Sequence, residues 1–131
     1  MNQLPFPALL ALLLALAGCA APPPAAPPNG LADLMERPAE RALFEGIRAY
    51  DDGNYTAAEA ALRRALKGGL TSPRDQATAH KLLAFITCTS DRLADCQAQF
   101  REARAADAGF ALSRSEAGHP SWGPVYKSLS Q

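Results

Sequence analysis

One block of this sequence recurs at a fixed offset, and the recurrence limits the fold more than any single residue does. Gly46, Gly53, Tyr55, Ala58, Leu62 and Ala65 are followed, each 38 positions later, by Ala84, Asp91, Leu93, Cys96, Phe100 and Ala103. The order small, turn residue, bulky, small, bulky, small is the same in both copies. Around it, apolar residues return every three or four positions, the spacing of one helix face. Pro38-Ala39-Glu40 makes a good first turn, and Ala42, Leu43, Gly46, Ile47, Ala49 and Tyr50 follow in helical register. Asp51-Asp52-Gly53-Asn54 breaks the pattern as a tight turn. A second helix is expected over Tyr55–Leu66, ended by Gly68-Gly69. Ser72 as N-cap and Pro73 at the first helical position open a third helix, which runs to about Thr89. Ser90-Asp91 turns the chain into a fourth, Leu93–Ala106, with Leu93, Cys96, Phe100 and Ala103 inward. No β alternation competes, so the expected fold class is all-α.

Two helical hairpins repeated in tandem resemble the tetratricopeptide repeat, whose usual period is 34 residues. Gly53-x-Tyr55-x-x-Ala58 with Ala65-Leu66 carries the resemblance in the first copy. The four extra residues are assigned to the Gly68–Pro73 connection. The second copy is looser, with Asp91 for Gly and Cys96 for Ala, and Ala42 and His80 stand where an early aromatic is expected. Small residues let the two helices of a hairpin cross closely, and bulky ones fill the holes between hairpins. The alternative is a four-helix array whose alignment is coincidental; both are all-α.

The N-terminus reads as an address. Ala8 to Ala17 is an apolar run of ten, half of the about 20 residues needed to cross a bilayer as a helix. It suits the apolar core of a secretory signal. Leu16-Ala17-Gly18-Cys19 then resembles the bacterial lipobox, which implies cleavage before Cys19 and its lipidation. An ordinary cleaved signal with an incidental cysteine is the other reading, and MNQLPFP before the apolar run has no Lys or Arg. Ala20 rather than Asp after the cysteine, by resemblance to known lipoproteins, implies the outer membrane. Ala20–Gly30, AAPPPAAPPNG, favours extended polyproline and cannot join a packed core; Leu31–Arg37 has room for a turn or two of helix before Pro38. The expected organisation is a signal over 1–18, a lipidated tether over 19–37 and a helical domain over 38–131.

Two repeats alone are marginal, because each hairpin buries its face on a neighbour. Two remedies are available. The segment Gly118-His119-Pro120-Ser121-Trp122-Gly123-Pro124-Val125-Tyr126 is expected to cap the second hairpin, with Pro124 starting a short helix through Leu129. Trp122 has a second possible use as a partner contact. The other remedy is Cys88 with Cys96, the even pair left once Cys19 is lipidated in an oxidising compartment. A disulfide would clip the hairpin; two buried thiols are the alternative.

The charges balance, 13 Lys and Arg against 13 Asp and Glu, which lacks the basic footprint that nucleic acid requires. No Ser/His/Asp set, glycine-rich phosphate loop or HExxH is present, and His80 and His119 have no partners at ligand spacing. His80 is expected at a helix edge and His119 in a loop-ordering hydrogen bond. The expectation is therefore a binding protein, without enzymatic activity, cofactor or metal. By the tetratricopeptide resemblance the first helix of each hairpin lines a concave face, which assigns Leu43, Ile47, Tyr50, Lys81 and Phe85 to partner binding, with Trp122 beside them. The same residues would instead be buried if the tether or the C-terminal segment folded over them.

Taken with the lipobox and the proline tether, LAFITC over Leu83–Cys88 joined to Cys96, Tyr50-x-x-Gly53-x-Tyr55 and Gly118-His119-Pro120-x-Trp122-Gly123-Pro124 resemble the TssQ family of type VI secretion-associated lipoproteins. The resemblance implies a periplasmic accessory of a contractile injection apparatus, held on the outer membrane by its lipid and bound to protein components of the cell envelope. It carries over no functional residue. A pilotin-like lipoprotein for pilus or secretin assembly, and an envelope scaffold that binds peptidoglycan enzymes, share the same features.

Overall fold

The computed structural model describes Gly30 and residues 36–129, and these fold as helices joined by short turns. The expected signal, Cys19 and nearly all of the tether lie outside the described residues. Six helices are seen among the described residues: α1 Pro38–Asp51, α2 Tyr55–Lys67, α3 Pro73–Thr89, α4 Leu93–Ala106, α5 Arg114–Ala117 and α6 Gly123–Ser128. Helices α1 and α2 form one hairpin, and α3 and α4 a second. The hairpins meet through α2 against α3 and α1 against α3, and α6 closes on α4. The all-α architecture with two hairpins and a C-terminal segment is the one expected from the repeat.

Local chemistry accounts for the helix ends. Asn54 Oδ1 accepts from the Ala57 N–H at 3.2 Å, and Ser72 Oγ from the Asp75 N–H at 3.3 Å. Each satisfies one of the donors that a helix start leaves open. The two interhelix turns place corresponding residues in the left-handed region, Gly53 at φ +74° and Asp91 at φ +59°. Aspartate is among the few residues besides glycine that tolerate this backbone, so the looser second copy keeps the turn geometry of the first.

The small–bulky pattern resolves into specific contacts. A Cβ on Gly46 would lie 2.8 Å from Leu62 Cγ and Cδ2 and 3.1 Å from the Leu62 backbone nitrogen, so α1 and α2 cross at a point where only glycine fits. Ala84 and Phe100 hold the equivalent positions in the second hairpin, and both are fully buried. Leu62, Leu83, Phe100 and Cys96 form the solvent-free centre. Two residues expected to fill holes do not: Tyr55 is 50% exposed and Leu93 54%. Each is the first residue of its helix, so its side chain projects beyond the helix crossing instead of into it. The connection that holds the extra length is also packed, since Leu70 is buried and its carbonyl accepts from Gln76 Nε2 at 2.7 Å.

Cys88 at the end of α3 and Cys96 in α4 are joined, with Cα atoms 5.1 Å apart, inside the range a disulfide spans. A second tie crosses between the hairpins. Arg92, at the α3–α4 turn, donates from both guanidinium nitrogens to the two oxygens of Glu59 on α2, at 2.9 and 2.6 Å. Arg63 binds the same carboxylate at 3.0 and 2.7 Å. The hydrogen bonds from Arg92 outweigh the opposing effect of burial and hold the Glu59 carboxyl down to about 2.

Candidate functional site

The first helices of the two hairpins, α1 and α3, lie side by side, and the C-terminal segment folds over the α3 half. At the centre is Phe85, 4% exposed, with the Trp122 indole stacked on it at 4.1 Å and 18°. His119 stacks on the other side of that indole at 3.3 Å. The stack is fixed by polar contacts. Trp122 Nε1 donates to the Glu116 carbonyl at 2.8 Å, and His119 Nδ1 accepts from the Ser121 N–H at 3.2 Å. The motif residues of GHPSWGP thus contact one another, through His119, Ser121 and Trp122, and join the rest of the chain through Phe85 and the Glu116 carbonyl.

The short helix α5 supplies the ionic half of this contact. Ser113 and Glu116 form a reciprocal capping box, with Ser113 Oγ accepting from the Glu116 N–H and Glu116 Oε2 from the Ser113 N–H. The same carboxylate receives Lys81 Nζ at 2.7 Å, and that ammonium lies 5.8 Å from the Phe85 ring centroid. Burial raises the Glu116 carboxyl; the Lys81 and Ser113 hydrogen bonds outweigh it, and the group sits below its ordinary value. Helix α5 escaped the periodicity argument because four residues are little more than one turn. Its signal was the Ser113-x-x-Glu116 spacing.

Farther along, Tyr126 packs edge-on against Phe100 at 5.3 Å and against Phe110 at 6.3 Å. The Arg104 guanidinium covers its ring at 4.8 Å, and its hydroxyl accepts from the Leu112 N–H at 3.2 Å. Trp122 and Tyr126 therefore reach different sides of the second hairpin, α3 and α4 respectively.

Of the six residues assigned to partner binding, the structure brings Lys81, Phe85 and Trp122 together under the C-terminal segment. Phe85 and Trp122 cover each other, Trp122 keeping 9% of its surface. Leu43 is buried in the core. Ile47 and Tyr50 are half-buried on α1. Tyr50 continues the aromatic row, with its ring 5.4 Å from Tyr55 and 6.5 Å from Phe85. Burial pushes its phenol pKa up, aided by Tyr55, Asp51 and Glu116. Sequence reasoning passed over Phe44, which lies one turn before Ile47 and is 54% exposed. Its signal was the i, i+3 spacing to Ile47 on the same face.

His80 and His119 occupy the places expected of them. His80 Nδ1 meets Gln99 Oε1 at 2.8 Å between α3 and α4, and His119 orders its loop. Among the described residues no helix is long and apolar enough to cross a membrane. The fold and this face define a small protein of helical hairpins whose second hairpin is closed by its own C-terminal segment. Compared with protein-family models, characterised proteins and solved structures, the chain matches none.

Proposed function

We propose that the protein is a lipoprotein held by Cys19 on the periplasmic face of the outer membrane, where it acts as a non-enzymatic scaffold of a type VI secretion apparatus. The supporting observation is the fate of the most specific motif in the chain. Gly118-His119-Pro120-x-Trp122-Gly123-Pro124, which carries the resemblance to the TssQ lipoproteins, is spent on closing the α3 face through the His119–Trp122–Phe85 stack. A motif used in this way shapes a docking surface, and the half-buried residues left beside it on α1 are those a protein partner reaches. The lipobox and proline-rich tether supply the anchor: three acyl chains at ~0.8 kcal/mol per buried CH₂ hold a domain on a bilayer where a single chain does not.

Two measurements test this. Radiolabelled palmitate enters the wild-type chain and not Cys19→Ser; equal labelling overturns the anchor. Deletion of the gene lowers secretion of the tube protein and killing of competitors, and the wild-type chain restores both. Unchanged secretion with defective pilus or secretin assembly supports the pilotin reading instead, and unchanged secretion with altered cell-wall turnover supports the peptidoglycan-enzyme scaffold.

A further inference from the structure

The 38-residue offset continues through the two interhelix turns, where the backbone is the same in both copies. The Asn54 N–H donates to the Ala49 carbonyl at 2.8 Å, and the Arg92 N–H to the Thr87 carbonyl at 2.9 Å. The carbonyls of Asn54 and Arg92 accept from the N–H groups of Ala58 and Cys96, each at 2.9 Å. Asn54 and Arg92 are the N-caps of α2 and α4, with φ and ψ of −87° and 74° in the first and −93° and 66° in the second. The side chains part company. Asn54 caps its own helix by accepting from the Ala57 N–H at 3.2 Å, whereas no side chain caps α4. Arg92 sends its guanidinium to the other hairpin instead, where it holds both oxygens of Glu59. The exposed Asp95 is its other acidic neighbour, at 3.9 Å.

A missing cap weakens a helix start about fivefold. The second turn has a covalent bond where the first has a cap. Cys88 and Cys96 stand at the positions of Tyr50 and Ala58 in the first copy. They bracket Arg92, and with Cα atoms 5.1 Å apart they hold the last turn of α3 on the first turn of α4.

We propose that the Cys88–Cys96 disulfide replaces the helix cap at the second turn and frees Arg92 to clamp Glu59, so that the docking of the two hairpins depends on the redox state of this pair. With the bond closed, the turn is fixed and Arg92 reaches across to α2. With the bond open, the start of α4 has neither cap nor staple; it frays and carries Arg92 away from the Glu59 carboxylate, which keeps Arg63. Closure takes place by exchange with a disulfide-bearing donor. The half-buried Cys88 attacks first and Cys96 displaces the second donor sulfur, so the donor S–S bond breaks as the Cys88–Cys96 bond forms. The two thiol protons and two electrons leave on the donor as its dithiol. On the reading of an exported chain, the hairpins therefore dock fully only in an oxidising compartment.

The test uses the full chain in detergent micelles, with Cys19→Ser so that one pair of thiols remains, and reads hydrogen exchange of the α2 and α3 amides by mass spectrometry. With the disulfide intact, Glu59→Gln and Arg92→Asn each speed exchange about fivefold, because each removes the clamp. In the Cys88→Ser/Cys96→Ser chain, Glu59→Gln changes exchange less than about twofold. Arg92→Asn there slows it about fivefold, because asparagine restores the cap. A disulfide-free chain too unstable to fold is expected to fold again with Arg92→Asn. The proposal is overturned by an equal effect of Glu59→Gln with and without the disulfide, by Arg92→Asn speeding exchange in both, or by a disulfide-free chain that stays unfolded with Arg92→Asn. None of these readings involves lipidation or secretion, so the role proposed above is tested separately.

Discussion

Trp122→Ala is the substitution that most directly asks whether the C-terminal segment is part of the fold. The indole is 9% exposed, stacked on Phe85 at 4.1 Å, with Nε1 bonded to the Glu116 carbonyl at 2.8 Å. Truncating a buried tryptophan costs about 3–5 kcal/mol. Trp122 lies at the edge of the core, so the lower value, about 3 kcal/mol, applies. Of this, the stacking geometry accounts for ~1 kcal/mol. The loss also uncovers Phe85, the aromatic at the centre of the face. For a domain near 100 residues each kcal/mol moves the melting temperature by about 4–8 °C, so the midpoint falls by roughly 12–24 °C. Trp122→Phe keeps a ring over Phe85 and removes the donor, leaving the Glu116 carbonyl to solvent, and should lose only about 1 kcal/mol. The assay is thermal and urea unfolding of the soluble chain without residues 1–29, disulfide intact, followed by far-ultraviolet circular dichroism. A fall of less than about 4 °C for Trp122→Ala would refute the reasoning, because it would mean that the second hairpin is stable without its cover.

The remaining predictions concern the ties between and within the hairpins. Glu59 is held from its ordinary 4.5 to about 2 by Arg92 and Arg63, so its stabilising contribution is complete above pH 4.5 and is lost as pH falls toward 2. The two guanidiniums are 38% and 48% exposed, which reduces the contribution to about 1 kcal/mol; Glu59→Gln should be less stable than wild type at pH 7, and the difference should shrink to nothing near pH 2 in urea titrations. Gly46→Ala drives a methyl into Leu62 and should cost about 1–3 kcal/mol, whereas Asp91→Gly, at φ +59°, should be neutral or stabilising by up to about 1 kcal/mol in the same assay. Replacing Cys88 and Cys96 together by Ser should cost about 2.5 kcal/mol, the chain-entropy value for so short a loop, and reduction of the wild type should reproduce the loss.

The four main helices and their boundaries were legible because each has its own local chemistry. A proline or an Asn or Ser cap opens α1, α2 and α3, glycine or aspartate closes the turns, and apolar residues recur at helical spacing between them. The 38-residue offset added the pairing of helices into hairpins, since Gly46 with Leu62 and Ala84 with Phe100 make sense only as close crossings. The site was less legible. Which residues form its face was readable from the helix they lie on, but whether they are open or covered depends on a segment more than thirty residues away.

The sequence by itself determined the elements and the pairings that follow from them, helices from periodicity and capping and tight hairpins from small residues at the crossing, whereas the reach of Cys88 to Cys96 was decided by the structure, which sets their Cα atoms 5.1 Å apart. Only the tertiary structure decided the fate of the face between α1 and α3, because burial there belongs to two surfaces at once. Lys81 and Phe85 look like binding residues until Glu116 and Trp122 arrive over them. Phe44 looks unexceptional until Leu43 beside it is buried and Phe44 is left 54% exposed. Helix propensity is a property of neighbours in the chain, whereas exposure is a property of what the rest of the chain leaves uncovered.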